Sequence, residues 1–375
     1  MKDISLYIHI PFCKSKCWYC DFPSFCGKDN LMDSYIKALG KEIDAKVLQY
    51  NIKTIFIGGG TPTYLPLKML EDLKAHIKKL NLTPNVEFTV ECNPGTLDKE
   101  KLELLKDMGV NRLSIGLQAY DDSLLKEIGR IHNVDEFLKN YELARSIGFE
   151  NINIDLMFAL PNQTYELWKE SLIKVAKLNP EHISAYSLIL EEDTRFYDLN
   201  NKGTLNLPEE DVERGMYESL LSILKDFGYN QYEISNFSKE GRECRHNMVY
   251  WSMDEYIGVG SSSASYIESI RYKNVESVEE YIQKINTDKQ AYKEKYKNLI
   301  KEDVEEFMFM GLRKTRGIEE KEFLNRFGKD IDSYYKDIIN KYINVKLLKR
   351  EDGYLKFTAE GIQLSNYVLA DFLID

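Results

Sequence analysis

Long apolar runs are missing: no window approaches the roughly 18 uninterrupted apolar residues of a membrane span, and Met1-Lys2-Asp3-Ile4-Ser5 opens no signal-peptide hydrophobic region. A cytoplasmic protein without a membrane span is expected. Cationic charge is also short, with 50 Lys and Arg against 61 Asp and Glu and a net of −11, a balance that repels nucleic-acid phosphates and anionic lipid. Nucleic acid is therefore not an expected partner. Cysteine is scarce for 375 residues: six are too few for a disulfide framework, and three crowd into positions 13 to 20. Such crowding points to a metal site. The chain does hold 43% hydrophobic residues, enough for one large core or for a barrel with a small appendage.

From residue 5 to about 190 short β-branched runs alternate with amphipathic stretches, the pattern of βα units. The expected strands are residues 5–10, 54–58, 87–91, 112–117, 151–156 and 182–189. After the fourth, Val134, Phe137, Leu138, Tyr141 and Ala144 recur at three- and four-residue spacing, an apolar stripe ended by Gly148. Right-handed crossovers then curl the parallel strands into a full or partial α/β barrel, with a flat doubly wound sheet as the alternative. A helix is expected over 209–227 and a strand over 229–234, completing a barrel unit of residues 1–235. Residues 236–297, irregular and tyrosine-rich, read as a linker. Over 298–375, helices near 304–314, 319–327 and 331–341 precede a hairpin over 348–357 turning at Asp352-Gly353, a winged-helix-like α+β pattern. That unit carries 13 Lys and Arg against 15 Asp and Glu, a net of −2, which suits a structural cap better than a DNA reader.

Cys13-x3-Cys17-x2-Cys20 puts three thiolates on one short loop, able to ligate three irons of a [4Fe-4S] cubane and leave the fourth iron without a protein ligand. The amino and carboxylate groups of S-adenosylmethionine (SAM) can chelate such an open iron, and one-electron transfer then cleaves the sulfonium to a 5′-deoxyadenosyl radical. A structural zinc site with Cys26 as fourth thiolate is the competing possibility. Gly58-Gly59-Gly60-Thr61-Pro62 follows the second strand, where glycines let a ligand approach the backbone. Glu91, Gln118, Arg130 and Asp155 fall at or after other strand ends, on the face of a parallel barrel that carries chemistry. Acidic groups there suit a ribose or an ammonium, and the planar fork of Arg130 suits a carboxylate. Each is equally at home as a helix cap or on a solvated face.

Taken together, Tyr7-Ile-His-Ile-Pro-Phe-Cys13, the triad, Gly58–Pro62, Glu91-Cys-Asn-Pro-Gly95, Arg112-Leu-Ser-Ile-Gly-Leu-Gln118, Gly129-Arg130-Ile-His-Asn133 and Asn153-Ile-Asp155-Leu-Met157 resemble one family over most of the chain. It is the radical-SAM family of oxygen-independent coproporphyrinogen III dehydrogenase and the haem chaperone HemW. The resemblance implies that Tyr7 packs on SAM, Tyr19 lies beside the cluster, and Gly59, Gly60 and Thr61 take the methionyl end. Glu91 matches another SAM-contacting position, while Gln118, Arg130 and Asp155 match positions that take a second SAM in the dehydrogenase. For Tyr7 and Tyr19 the alternative is core packing.

Two departures favour the haem-chaperone branch. Phe22 stands where the dehydrogenase pattern has a further cysteine, and only 12 residues precede the triad where that pattern has a long arm. The branch also has a His-Asn-x-x-Tyr-Trp signature associated with haem, matched by His246-Asn247-Met-Val-Tyr250-Trp251 just after Cys244. His and Cys are usual axial haem ligands, and Tyr250 and Trp251 offer an apolar wall to a porphyrin. The expected function is haem binding for transfer to an acceptor protein, with an electron donor serving the cluster. A coproporphyrinogen dehydrogenase and another radical-SAM porphyrin enzyme, such as one that opens the ring, are the alternatives, so whether the chain is an enzyme stays open.

Overall fold

Residues two apart on a strand share a face, so a strand with alternating character sorts its side chains between two environments. In β1 (Asp3–Ile10), Ile4, Leu6, Ile8 and Ile10 are buried in the apolar core, while Ser5, Tyr7 and His9 take the other side. The computed structural model, which describes residues 1–373, continues this division through β2 (Asn51–Gly59), β3 (Asn81–Cys92), β4 (Arg112–Gln118), β5 (Ile152–Phe158) and β6 (His182–Ser187). Ile55, Ile57, Phe88, Val90, Leu113, Ile115, Ile154, Leu156 and Ile183 join the core. Thr54, Glu87, Glu91, Arg112, Ser114, Asn153, Asp155 and His182 occupy the opposite, polar face.

Helices α1 (Met32–Lys46), α2 (Leu67–Ile77), α3 (Lys99–Met108), α5 (Val134–Ser146), α6 (Tyr165–Lys177) and α8 (Glu210–Asp226) cover the apolar face, while α4 (Asp122–Glu127) and α7 (Arg195–Asn201) form a separate small apolar cluster with Met157 and Leu160. The start of α5 is written locally, by a capping box in which Asn133 and Glu136 satisfy each other's backbone N–H groups. Of its expected stripe, Phe137, Tyr141 and Ala144 are buried and Leu138 packs at the margin. The chain turns away through Gly148 at φ 92, a left-handed conformation that suits glycine.

The sheet is open rather than closed, so of the two barrel forms expected the partial one is present. Seven parallel strands run β9-β1-β2-β3-β4-β5-β6, where β9 is Tyr256–Val259, and antiparallel strands extend both ends. On the β6 side these are β8 (Asn236–Ser238) and β7 (Asn230–Glu233). On the β9 side they are β10 (Ala264–Ile267), β11 (Ile270–Asn274) and β12 (Tyr292–Lys297). Residues 236–297 are therefore not a linker but part of the sheet, together with α9 (Arg245–Trp251) and α10 (Val278–Asp288). Their strands are short, and β12 is polar and exposed along nearly its whole length. Pairing with neighbours, rather than an apolar pattern, makes them strands.

After β12, α11 (Ile300–Gly311), α12 (Glu320–Phe327) and α13 (Asp332–Asn344) pack on a small antiparallel sheet of β13 (Ile318–Glu319), β14 (Leu348–Glu351) and β15 (Tyr354–Phe357). This is the winged-helix-like arrangement expected, followed by α14 (Ala359–Gln363) and α15 (Ser365–Ala370). Its apolar core is separate from that of the large sheet but takes in Met253 and Tyr266 from the preceding segment.

Candidate functional site

The cysteine loop leaves β1 at its C-terminal end and is tied at both ends. Cys13 N–H donates to Phe25 O at 3.0 Å, and Phe25 N–H to Pro11 O at 2.7 Å. Mid-loop, Trp18 N–H reaches Ile128 O at 3.1 Å, and Phe196 N–H reaches Trp18 O at 2.9 Å. Gly129 makes room for this: a Cβ there would stand 2.3 Å from the Trp18 ring. The loop is thereby pinned to the C-terminal ends of β1 and α4 and to the start of α7.

The glycine run after β2 seats the loop. Gly60 and Thr61 donate their N–H groups to Ile10 O and Phe12 O, each at 2.8 Å. A Cβ on Gly60 would lie 2.8 Å from Phe12 O and 3.0 Å from the Cys13 thiol, so nothing larger than glycine fits without a shift. The Thr61 hydroxyl stands 3.6 Å from Cys13 Sγ. Gly59, at φ 111, donates its N–H to Glu91 Oε2 at 3.0 Å. Burial, reinforced by the charge of Asp155, pushes the Glu91 carboxyl up to about 7, against the opposing pull of the Gly59 N–H and Arg112.

Arg130 spans the site, donating to Cys17 Sγ at 3.5 Å and Asn93 Oδ1 at 2.6 Å, and to the carbonyl of Gly116. Gln118, held at φ 73, accepts the Tyr186 hydroxyl at 3.1 Å. Asp155 accepts Asn153 Nδ2 at 2.7 Å and the Ser114 hydroxyl at 3.3 Å, and burial raises its carboxyl above the usual range. Burial likewise raises the Cys13 thiol and takes that of Cys20 up to about 11.

One cavity on the C-terminal face of the parallel strands is lined by Cys13, Cys17, Cys20, Tyr19, Gly59, Gly60, Thr61, Glu91, Gln118, Arg130 and Asp155. It also takes in Phe22, Cys92, Asn93, Ser114 and Tyr186, and the last four are additions that the structure makes to the site. Two-residue spacing could have found two of them, since Ser114 shares a face with Arg112 and Gln118, and Tyr186 with His182. Tyr7 is not among the lining residues. It points to the polar face two residues below His9 and donates its hydroxyl to His9 Nδ1 at 3.0 Å, since His9 Nε2–H is engaged by Pro23 O. The donor set fits a three-thiolate cluster. Cys26 is exposed and off the cavity wall, whereas Cys92 lies on that wall, buried, with its thiol donated to Val90 O at 3.5 Å.

The residues expected to contact haem lie elsewhere. Thr54 and Glu87 face each other in register at the opposite end of the strands, and both hold α9. His246 is 1% exposed, with Nδ1 at 2.8 Å from Thr54 Oγ1 and Nε2 at 2.9 Å from the Tyr250 hydroxyl. Burial, with help from Arg112 and Lys53, takes its imidazole down to about 3. The backbone N–H groups of Arg245 and His246 both donate to the Glu87 carboxylate at 2.9 Å, and the buried Cys244 thiol stands 3.7 Å from it. Burial takes that thiol up to about 12. Trp251 is half-buried under the Arg313 guanidinium, 4.8 Å from its ring centre, and its Nε1–H has no partner among the described residues. So α9 plugs the N-terminal mouth of the open barrel, and neither ring nitrogen of His246 is free for an iron in this arrangement.

Comparison with known proteins bears on both regions. The family model described as Radical SAM superfamily matches residues 7–174, and that of the HemN C-terminal domain matches residues 301–364. The haem chaperone HemW of Bacillus subtilis is 42% identical over 98% of this chain and 99% of its own length. The haem chaperone HemW of Lactococcus lactis is 41% identical over 100% of this chain and 98% of its own. Among solved structures, coproporphyrinogen III oxidase HemN from Escherichia coli superposes with a TM-score of 0.86 at 21% identity, covering 99% of this chain and 90% of that one, a likeness of fold.

Proposed function

Since this chain belongs to the radical SAM superfamily and, within it, to the HemW group of haem chaperones, we propose that it binds haem for delivery to an acceptor protein and carries a SAM-ligated [4Fe-4S] cluster. The observation that carries this function is the similarity to haem chaperones along the whole chain, joined to a cavity on the C-terminal face of the strands that the three loop thiols and Arg130 line together. Cys13, Cys17 and Cys20 hold the cluster. Gly59, Gly60 and Thr61 leave their backbone open to the methionyl end of SAM, Glu91 faces its ammonium, and Tyr19 covers the cluster side. Arg130 braces Cys17, and Gln118 and Asp155 supply polar contacts deeper in the cavity. When bound, cluster and SAM together supply one-electron chemistry.

Phe22, 61% exposed on the cavity wall, stands where the dehydrogenase pattern has a cysteine, and this favours the chaperone over oxidation of coproporphyrinogen. Haem contacts the 244–251 segment through Cys244, His246, Tyr250 and Trp251. Because His246 is engaged at both nitrogens, ligation requires α9 to leave its seat. An electron donor and a haem acceptor are the remaining partners. Anaerobically reconstituted protein is expected to bind about four irons per chain and to shift the Soret band of added haem, with weaker binding in His246→Ala and Cys244→Ala. Coproporphyrinogen III incubated with SAM and reductant should come through unchanged. SAM-dependent decarboxylation, or haem binding undiminished in both variants and their double mutant, would transfer the function to the dehydrogenase or the haem site to another surface.

A further inference from the structure

The polar face of the sheet connects the cofactor cavity to α9 by an unbroken chain of hydrogen bonds whose polarity is set from one end. On the cavity wall Asp155 Oδ1 accepts from Asn153 Nδ2 at 2.7 Å, which turns the amide nitrogen toward it, and the second Nδ2 proton goes to Ser114 Oγ at 2.8 Å. Asn153 Oδ1 then accepts from His182 Nδ1 at 2.6 Å and from the Ser184 hydroxyl at 3.1 Å. With its proton on Nδ1, His182 has a lone pair on Nε2, which takes the Tyr232 hydroxyl proton at 2.7 Å. That leaves the Tyr232 oxygen to accept the backbone N–H of Cys244 at 3.2 Å, the residue that opens α9. Asn153 and His182 are buried, so water cannot substitute for either link.

We infer that Asn153, His182 and Tyr232 couple the cofactor cavity to the seating of α9, so that a ligand held by Asp155 keeps α9 docked and undocking of α9 weakens that ligand. The two states are α9 seated, as here, and α9 released by local opening. A ligand that pairs with the ionised Asp155 fixes the direction of every bond down to the Cys244 N–H. Losing that last bond leaves the Tyr232 oxygen without its donor, so Tyr232, and through it His182 and Asn153, are held from the Asp155 end alone. Coupling between sites is reciprocal, so both effects have the same size. This rests on the proposal that the cavity takes SAM, and it adds that SAM opposes exposure of Cys244 and His246.

Hydrogen exchange of peptides covering residues 244–251, measured by mass spectrometry on cluster-loaded full-length protein with and without SAM, tests the coupling. SAM binding is followed separately by titration. We expect SAM to slow exchange of that segment by about fivefold or more, and Tyr232→Phe to abolish the slowing while weakening SAM by the same factor. His182→Gln should do likewise, which guards against one variant failing to fold. Thr54→Val, which frees His246 without touching the chain, should speed exchange yet keep the response to SAM. SAM that binds without slowing exchange, or slowing that survives in Tyr232→Phe, overturns the coupling alone. A wild-type protein that binds no SAM overturns the cavity assignment as well.

Discussion

Gly60 shows how little freedom a single position has when backbone packs on backbone. A methyl group there meets the Phe12 carbonyl at 2.8 Å and the Cys13 thiol at 3.0 Å, so Gly60→Ala must move the loop that carries the triad. We expect it to lower iron retention and to weaken SAM, with a stability cost of about 1–3 kcal/mol, read by iron analysis and denaturant unfolding. Glu91 is a second test. Burial holds its carboxyl near 7 in the folded protein, above its ordinary 4.5, so it favours the fold most at low pH, and that contribution disappears as pH rises from 4.5 through 7. Glu91→Gln removes the ionisation. Its melting temperature relative to the parent should therefore climb between pH 5 and pH 8, while SAM affinity falls. A constant difference across that range would show that Glu91 ionises freely.

Among the elements, α9 is the one on whose place the proposed haem contact depends. It has seven residues, too short to be stable alone, and is held by the Glu87 carboxylate, Thr54 and Tyr232. His246 stays neutral in the seated helix because burial takes its pKa to about 3, whereas an open segment would titrate near the usual 6.5. The seated state therefore keeps its full advantage above pH 6.5 and loses it as pH falls toward 3. Opening of α9, measured by hydrogen exchange corrected for intrinsic rate, should rise about tenfold for each pH unit below 6.5. His246→Gln should flatten that dependence, and a slope unchanged by the substitution would place the titrating group elsewhere.

At the level of the whole molecule, the C-terminal unit clamps the large sheet rather than hanging from it. Thr315 donates its N–H to Tyr232 O at 3.0 Å, Arg326 reaches Ser252 O at 3.0 Å, and Arg271 pairs with Glu306. Met253 and Tyr266 lie in the core of the C-terminal unit. Unfolding one unit would expose apolar surface and backbone groups of the other, so we expect one cooperative thermal transition, coincident by calorimetry and near-ultraviolet circular dichroism. Two resolved transitions would mean that these contacts do not join the units energetically.

The sequence by itself determined the parallel βα order, the cysteine loop, the glycine turn and the winged-helix-like end. Each of these is written locally, in two- and 3.6-residue periodicity, in caps such as Asn133 and in the spacing of three thiols. It also identified the triad, the glycine turn, Tyr19, Glu91, Gln118, Arg130 and Asp155 on the cavity wall, since strand ends of a parallel sheet share one face, but not Ser114, Asn93, Cys92 or Tyr186 beside them. Tertiary structure alone decided the rest. Strands β9 to β12 join the sheet because β1 offers an edge to β9, and β8 joins because β6 offers one, which such short segments do not announce. Tyr7 leaves the cavity because its position along β1 sets its depth, and His246 is buried because Thr54, Glu87 and Tyr250, distant or near in sequence, close around it. Burial and hydrogen-bond partners are properties of the assembled sheet, and a motif such as His246–Trp251 carries no record of which mouth of the barrel it will fill.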